Sequence, residues 1–198
     1  MDTRRWVHQH LNIDGAEAPI HLTNFRRKNL AKLYRSLEYK CGAEIGIESG
    51  KFSQQICNQN PGVHLLCVDA WTKYQGYSRA LPQEKYDKQE REARQRLALY
   101  DVVIAHEFSM SAVETVEPES LDFVYIDGNH SFDYVMRDII EWAKRVRRGG
   151  IVSGHDYYVG VRSIDVIEAV DVYTKIHGIK EWFLTSEPHA KSWFWVKR

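Results

Sequence analysis

Apolar residues fall along this chain in short unbroken runs, and between the runs they recur every three or four positions. The runs are GAEIGI (42–47), HLLCVDA (64–70), DVVIAH (101–106), LDFVYID (121–127) and GIVSGHD (150–156). Unbroken Val, Ile and Leu suit strands covered on both faces, the usual state of a parallel strand. Leu30, Leu33, Tyr34 and Leu37 predict a helix over 26–39, and a second follows near 53–59. Val135, Ile139, Trp142 and Val146 step by four, three and four, which predicts a helix with one stripe on the sheet. Ser131 is placed to cap its start, and the basic run with Gly149 suits its end. A further helix is expected up to Gly178, and 180–186 and 191–198 alternate about a Pro-containing connection as an antiparallel pair would.

Strands alternating with helices predict an α/β fold: a doubly wound, Rossmann-like, seven-stranded and mostly parallel sheet with a C-terminal antiparallel strand pair. Residues 1–24 are mixed and polar and read as an irregular arm, leaving 25–198 as one domain. The stretch 71–100 is too long for an ordinary connection. Its second half reads as a charged helix and its first half, 71–82, as an aromatic-rich loop.

Composition excludes more than it selects. Of 198 residues, 43% are hydrophobic, and 27 basic side chains balance 27 acidic ones. Zero net charge disfavours nucleic acid as the main partner, because polyphosphate binding draws on a basic excess. The basic runs at 25–29 and 144–148 fit solvated helix faces at least as well. Cys41, Cys57 and Cys67 are odd in number and lack metal-site spacing, so they read as buried thiols in a reducing compartment, the cytoplasm. No apolar stretch approaches the length needed to span a membrane, and the amino end lacks the apolar core of a secretory signal.

In open α/β sheets ligands bind beyond the carboxyl ends of the strands, so the polar strand tips carry the chemistry. The first tip, AEIGIESGKFS, holds Gly46 and Gly50 in a turn that admits a ligand close to the backbone, and Glu44 sits inside the strand. Asp69 lies nineteen residues after Gly50 and can accept hydrogen bonds from both hydroxyls of a ribose; it can equally cap a helix. Asp127 and His130 follow the fourth run, and His155 and Asp156 the fifth. Two acids and two imidazoles on neighbouring tips can bind a cation or move a proton, or simply pair with one another.

These segments, with CVDAW, SLDFVYIDGNHSFDYVMRDIIEW and RRGGIVSGHDYY, resemble class I S-adenosylmethionine-dependent methyltransferases. More narrowly they resemble the small O-methyltransferases that include macrocin-type sugar methyltransferases, over 43–158. The resemblance implies that Glu44, Gly46, Ser49 and Gly50 line the methionine half of the cofactor. It implies that Asp69 holds the ribose beside Ala70 and Trp71, and that Ser109 and Met110 flank adenine. Asp127 would face the reacting centre, His130 would match the general base, and Asp127, His155 and Asp156 would be the metal-facing groups. Relatives carry Asp-Asn or Glu-Asp where this chain has His155–Asp156, which leaves Mg²⁺, Mn²⁺ or no metal open.

The reaction so implied is methyl transfer from S-adenosylmethionine to a hydroxyl of a small molecule, a sugar or a phenol, with His130 taking the proton. Acceptor recognition is expected from His21, from Trp71, Tyr74, Tyr77 and Arg79, and from Tyr157–Tyr158. Six Trp and eleven Tyr leave room for a homodimer. A nicotinamide oxidoreductase is disfavoured by the lack of G-x-G-x-x-G. A methyltransferase for a macromolecule and an inactive cofactor-binding module of the same fold are the remaining rivals.

Overall fold

The computed structural model describes residues 2–11, 13, 17–73, 81–158 and 165–198. In chain order the elements are α1 (Thr3–His10), β1 (Ile20–His21), α2 (Arg27–Ser36), β2 (Cys41–Ile45), α3 (Lys51–Gln59), β3 (His64–Asp69), α4 (Gln83–Leu97) and β4 (Val102–His106). Then come α5 (Ser109–Glu114), β5 (Leu121–Ile126), α6 (Phe132–Arg145), β6 (Val146–Tyr157), α7 (Val166–Ile176), β7 (Trp182–Leu184) and β8 (Lys191–Val196). Among the described residues the sheet has eight strands in the order β1-β7-β8-β6-β5-β2-β3-β4. Strands β2 to β6 pair in parallel, and β8 runs antiparallel to both β6 and β7, as the alternation at the carboxyl end predicts.

The fold class is that read from the sequence; the eighth strand is additional. Within 1–24, expected as an irregular arm, the described residues include a helix at Thr3–His10 and a strand at Ile20–His21. Asp2 accepts hydrogen bonds from the backbone N–H of Arg4 and Arg5 and caps α1, and Ile20–His21 add to β7 in parallel. Two residues of strand carry no readable period, and an eight-residue helix rich in basic side chains gives only a weak one.

Strand side chains alternate across the sheet and feed two cores. Phe123 and Tyr125 face the side covered by α2, α3 and α4, with Tyr34, Ile56 and Leu97. Val124 and Ile126 face the side covered by α5, α6 and α7, with Ile139, Trp142 and Val170. Helix α6 ends where Val146 turns extended, so the basic run at 144–148 straddles a helix end and the start of β6 instead of lying on one helical face. Ser131 occupies the N-cap position without capping: its hydroxyl donates to Asn129 Oδ1, and Asp165 Oδ2 accepts from the Phe132 N–H at 3.2 Å.

From β2 the chain winds outward through β3 and β4, then returns to place β5 on the other side of β2. That reversal opens a crevice at the carboxyl ends of β2 and β5, where Ile45 pairs with Ile126. No helix among the described residues is long and apolar enough to cross a membrane.

Candidate functional site

Gly46 leaves β2 directly beside the chain leaving β5. Its φ is +84°, and a Cβ built there would lie 2.2 Å from the Asp127 carbonyl oxygen, so no larger residue fits. The turn that follows is tied to β3 by one carboxylate. Asp69 Oδ2 accepts from the Glu48 N–H at 2.8 Å, and Oδ1 accepts from the Trp71 N–H at 2.9 Å. Burial raises the Asp69 pKa, and the two amides oppose the shift. Asp69 therefore braces a turn and caps no described helix, since Gly50 and Pro82 stand at the starts of α3 and α4; each oxygen keeps a lone pair after its amide bond.

Two cavities meet here. One, of about 330 Å³, is lined by Asp69, Glu107, Ser109, Met110, Arg137 and Asp138 among others. The second, of about 390 Å³, is lined by Glu48, Tyr86, Gln89, Asp127, His130, His155 and Asp156 among others. Gly46, Asp69, Gly128 and Asn129 line both, so they form the wall between the two. Asn129, not singled out in the sequence, is 6% exposed and folds its turn by accepting from the Ser131 N–H.

In the second cavity the four tip residues come together. His130 Nε2 lies 3.0 Å from Asp156 Oδ2 and 3.8 Å from Asp127 Oδ1, and His155 Nδ1 lies 3.4 Å from Asp156 Oδ1 and 3.8 Å from Asp127 Oδ1. Short as the first distance is, neither ring nitrogen of His130 meets hydrogen-bond geometry, and both are buried. Burial alone would lower the His130 pKa; the two carboxylates outweigh it and push it up to about 9. Burial acts the opposite way on Asp156, and contact with His130 and His155 outweighs it and holds that carboxyl well below its ordinary value. Asp156 takes a left-handed φ of 57°, which turns its side chain back toward the cluster. Donor atoms of Asp127, His130 and Asp156 all lie within 4.8 Å of one another, a set that could hold a metal ion; here His130, rather than the expected His155, completes the group.

Arg27 is the largest omission from the sequence reading. Its Nη2 donates to Asp127 Oδ2 at 2.7 Å, and its guanidinium sits 4.1 Å from the centre of the Phe52 ring and 4.9 Å from that of Tyr125. Glu44 lies in the same buried layer, 1% exposed, with Oε2 unpartnered. Burial pushes its pKa up to about 8 against the pull of Arg27.

Other expected residues stand back from the cavities. Glu44, Ser49, Gly50, Ala70 and Trp71 line neither one. Gly50, at φ +72°, lets α4 approach: a Cβ there would lie 3.3 Å from the Ala93 Cα. Trp71 is 1% exposed and its indole N–H donates to the Glu48 carbonyl, so it braces the turn and offers no face to an acceptor. His21 contacts Lys191, Tyr157 donates to Asp171, and Tyr158 packs edge-on against His189. Tyr74, Tyr77 and Arg79 lie outside the described residues.

A family model described as a methyltransferase domain matches residues 43–157. Three solved structures share the fold. The O-methyltransferase TomG from Streptomyces achromogenes, involved in tomaymycin synthesis and in complex with S-adenosylmethionine, aligns with a TM-score of 0.63 at 15% identity, over 87% of this chain and 79% of that one. An O-methyltransferase from Bacillus cereus in complex with S-adenosylhomocysteine aligns with a TM-score of 0.62 at 14% identity, over 100% and 91%. A ribosomal protein L11 methylase from Lactobacillus delbrueckii subsp. bulgaricus aligns with a TM-score of 0.56 at 13% identity, over 87% and 77%. No curated protein matches in sequence.

Proposed function

The chain belongs to the methyltransferase-domain family, and on that footing we propose that it transfers the methyl group of S-adenosylmethionine to a hydroxyl of a small molecule, a sugar or a phenol, in the cytoplasm. One observation carries the reading: a cavity fit for a nucleoside and a cavity holding acids and imidazoles share the wall Gly46–Asp69–Gly128–Asn129. Phe108, Ser109 and Met110 would hold the base of the cofactor and Asp69 its ribose, while Gly46 would leave room at the wall for its reactive end to reach an acceptor oxygen held in the second cavity.

The sulfonium is already activated, so this chain's residues need to position the acceptor, exclude water and receive a proton. His130 receives it in its neutral form, the minor one at neutral pH given a pKa of about 9, and Asp156 at 3.0 Å stabilises the imidazolium formed. Arg27 holds Asp127 Oδ2 and leaves Oδ1 facing the histidines. Glu48, Tyr86 and Gln89 supply polar and aromatic surface to the acceptor, which suits a hydroxylated ring. Zero net charge favours such an acceptor over nucleic acid.

A metal-assisted reading is favoured by the unpartnered nitrogens of His130. Asp127 and Asp156, with His130 or His155, would hold a divalent ion, and a donor set containing imidazole suits Mn²⁺ better than Mg²⁺. When bound, that ion would lower the acceptor hydroxyl's pKa.

The test is calorimetry with S-adenosylhomocysteine, followed by labelled S-adenosylmethionine against sugars, phenols and glycosides with and without EDTA. Binding, and label on one acceptor class, are expected. Loss of turnover in EDTA would select the metal-assisted reading, and failure to bind S-adenosylhomocysteine would overturn both.

A further inference from the structure

Asp138 stands in the middle of α6, 5% exposed, on the cavity already given to the nucleoside. Its two oxygens are in different states. Oδ1 accepts from the Ser109 hydroxyl at 2.5 Å, and Ser109 in turn accepts from the Trp142 indole N–H at 2.8 Å, so a relay of fixed donors sets the carboxylate's plane. Oδ2 takes no part in that relay and faces the Gly128 backbone, 3.8 Å from where a Cβ would be. Arg137 lines the same cavity, and its charge and the Ser109 hydroxyl both oppose the effect of burial on Asp138. Much of the surrounding lining is apolar (Ile45, Val68, Phe108, Met110), so an acceptor there is aimed at a donor that a ligand brings into the cavity.

We propose that Asp138 reads the base of the cofactor: Oδ2 accepts a hydrogen bond from the exocyclic 6-amino group of adenine, which makes the cavity selective for a 6-aminopurine over a 6-oxopurine. The inference rests on the cofactor reading above and adds to it a specificity residue from a helix the strand-tip argument never reached. A 6-oxo group would turn its own lone pairs on the carboxylate, and sites built for a donor reject analogues that lack it. Burial pushes the Asp138 pKa up to about 7, as expected of a carboxyl short of donors.

The experiment is calorimetry on the full chain with S-adenosylhomocysteine and S-inosylhomocysteine. The protein should prefer the adenine compound by about tenfold or more. Asp138→Asn keeps the volume and an oxygen for Ser109 but turns an N–H toward the cavity, so the preference should fall by about tenfold or invert. A thermal melt of the variant checks that it is folded. Equal affinity of the unaltered protein for the two compounds overturns the proposal without needing any variant. So does an unchanged ratio in a folded Asn variant, whereas no binding of S-adenosylhomocysteine at all would fail the cofactor reading itself.

Discussion

Asp69 and Asp156 are both acids at the carboxyl edge of the sheet, and they are held by opposite means. Both oxygens of Asp69 are fixed by backbone amides, at 2.8 and 2.9 Å. Asp156 is instead held by charge, against His130 at 3.0 Å and His155 at 3.4 Å. Amides on a folded turn neither titrate nor rotate away, so the first acid keeps its aim whatever occupies the cavity. The second can be rearranged by any proton or cation that enters. Under the proposed function, holding a ligand and changing one would fall to separate parts of one crevice, and the two should fail separately.

The largest effect should come from the charged side. His130→Ala is expected to slow turnover by about 100-fold or more while S-adenosylhomocysteine affinity stays within about threefold; parallel rate and calorimetric measurements would break the comparison if both fell together. Asp69→Ala should do the reverse, weakening S-adenosylhomocysteine by about 10- to 100-fold, with a lower melting temperature because two amides lose their acceptor. Glu44→Gln sharpens the picture through pH. The Glu44 pKa is about 8 in the folded protein against an ordinary 4.5, so the folded state binds more protons between those values and stability falls as pH rises through that window. The variant lacks this loss, and its melting temperature should gain on the parent by at least about 3 °C from pH 5 to 8; a constant difference would contradict the burial argument. The smallest change is expected of Arg27→Lys. It keeps a charge near Asp127 but gives up the flat contact with Phe52, for about 1 kcal/mol by urea unfolding.

What was legible in the sequence was local. Each strand tip announces itself where an unbroken apolar run ends in Gly, Asp or His, and Asp69, Asp127, His130, His155 and Asp156 do line one crevice. Arg27 was hidden because its partner is 100 residues away and its neighbours Arg26 and Lys28 suggest a solvated face. Yet Arg27, Leu30, Ala31 and Tyr34 share one helical stripe, and so do Val135, Asp138, Ile139 and Trp142. A charged residue in register with an apolar stripe is the signal that would have found both. Trp71 misled in the opposite direction: an aromatic in a long polar loop suggests a binding surface, but the indole is spent inside, on the Glu48 carbonyl.

Pairing of Ile20–His21 with β7 reaches further than its two residues suggest. Leu22 N–H donates to the Leu184 carbonyl, Ser186 N–H to the Phe25 carbonyl, and Arg27 N–H to Glu187, so the stretch leading into α2 is stitched along the terminal hairpin. The guanidinium that meets Asp127 is thus aimed from the far rim of the sheet. Proteolytic trimming just upstream of Arg27 would remove no residue that lines either cavity, and would still loosen the guanidinium that holds Asp127.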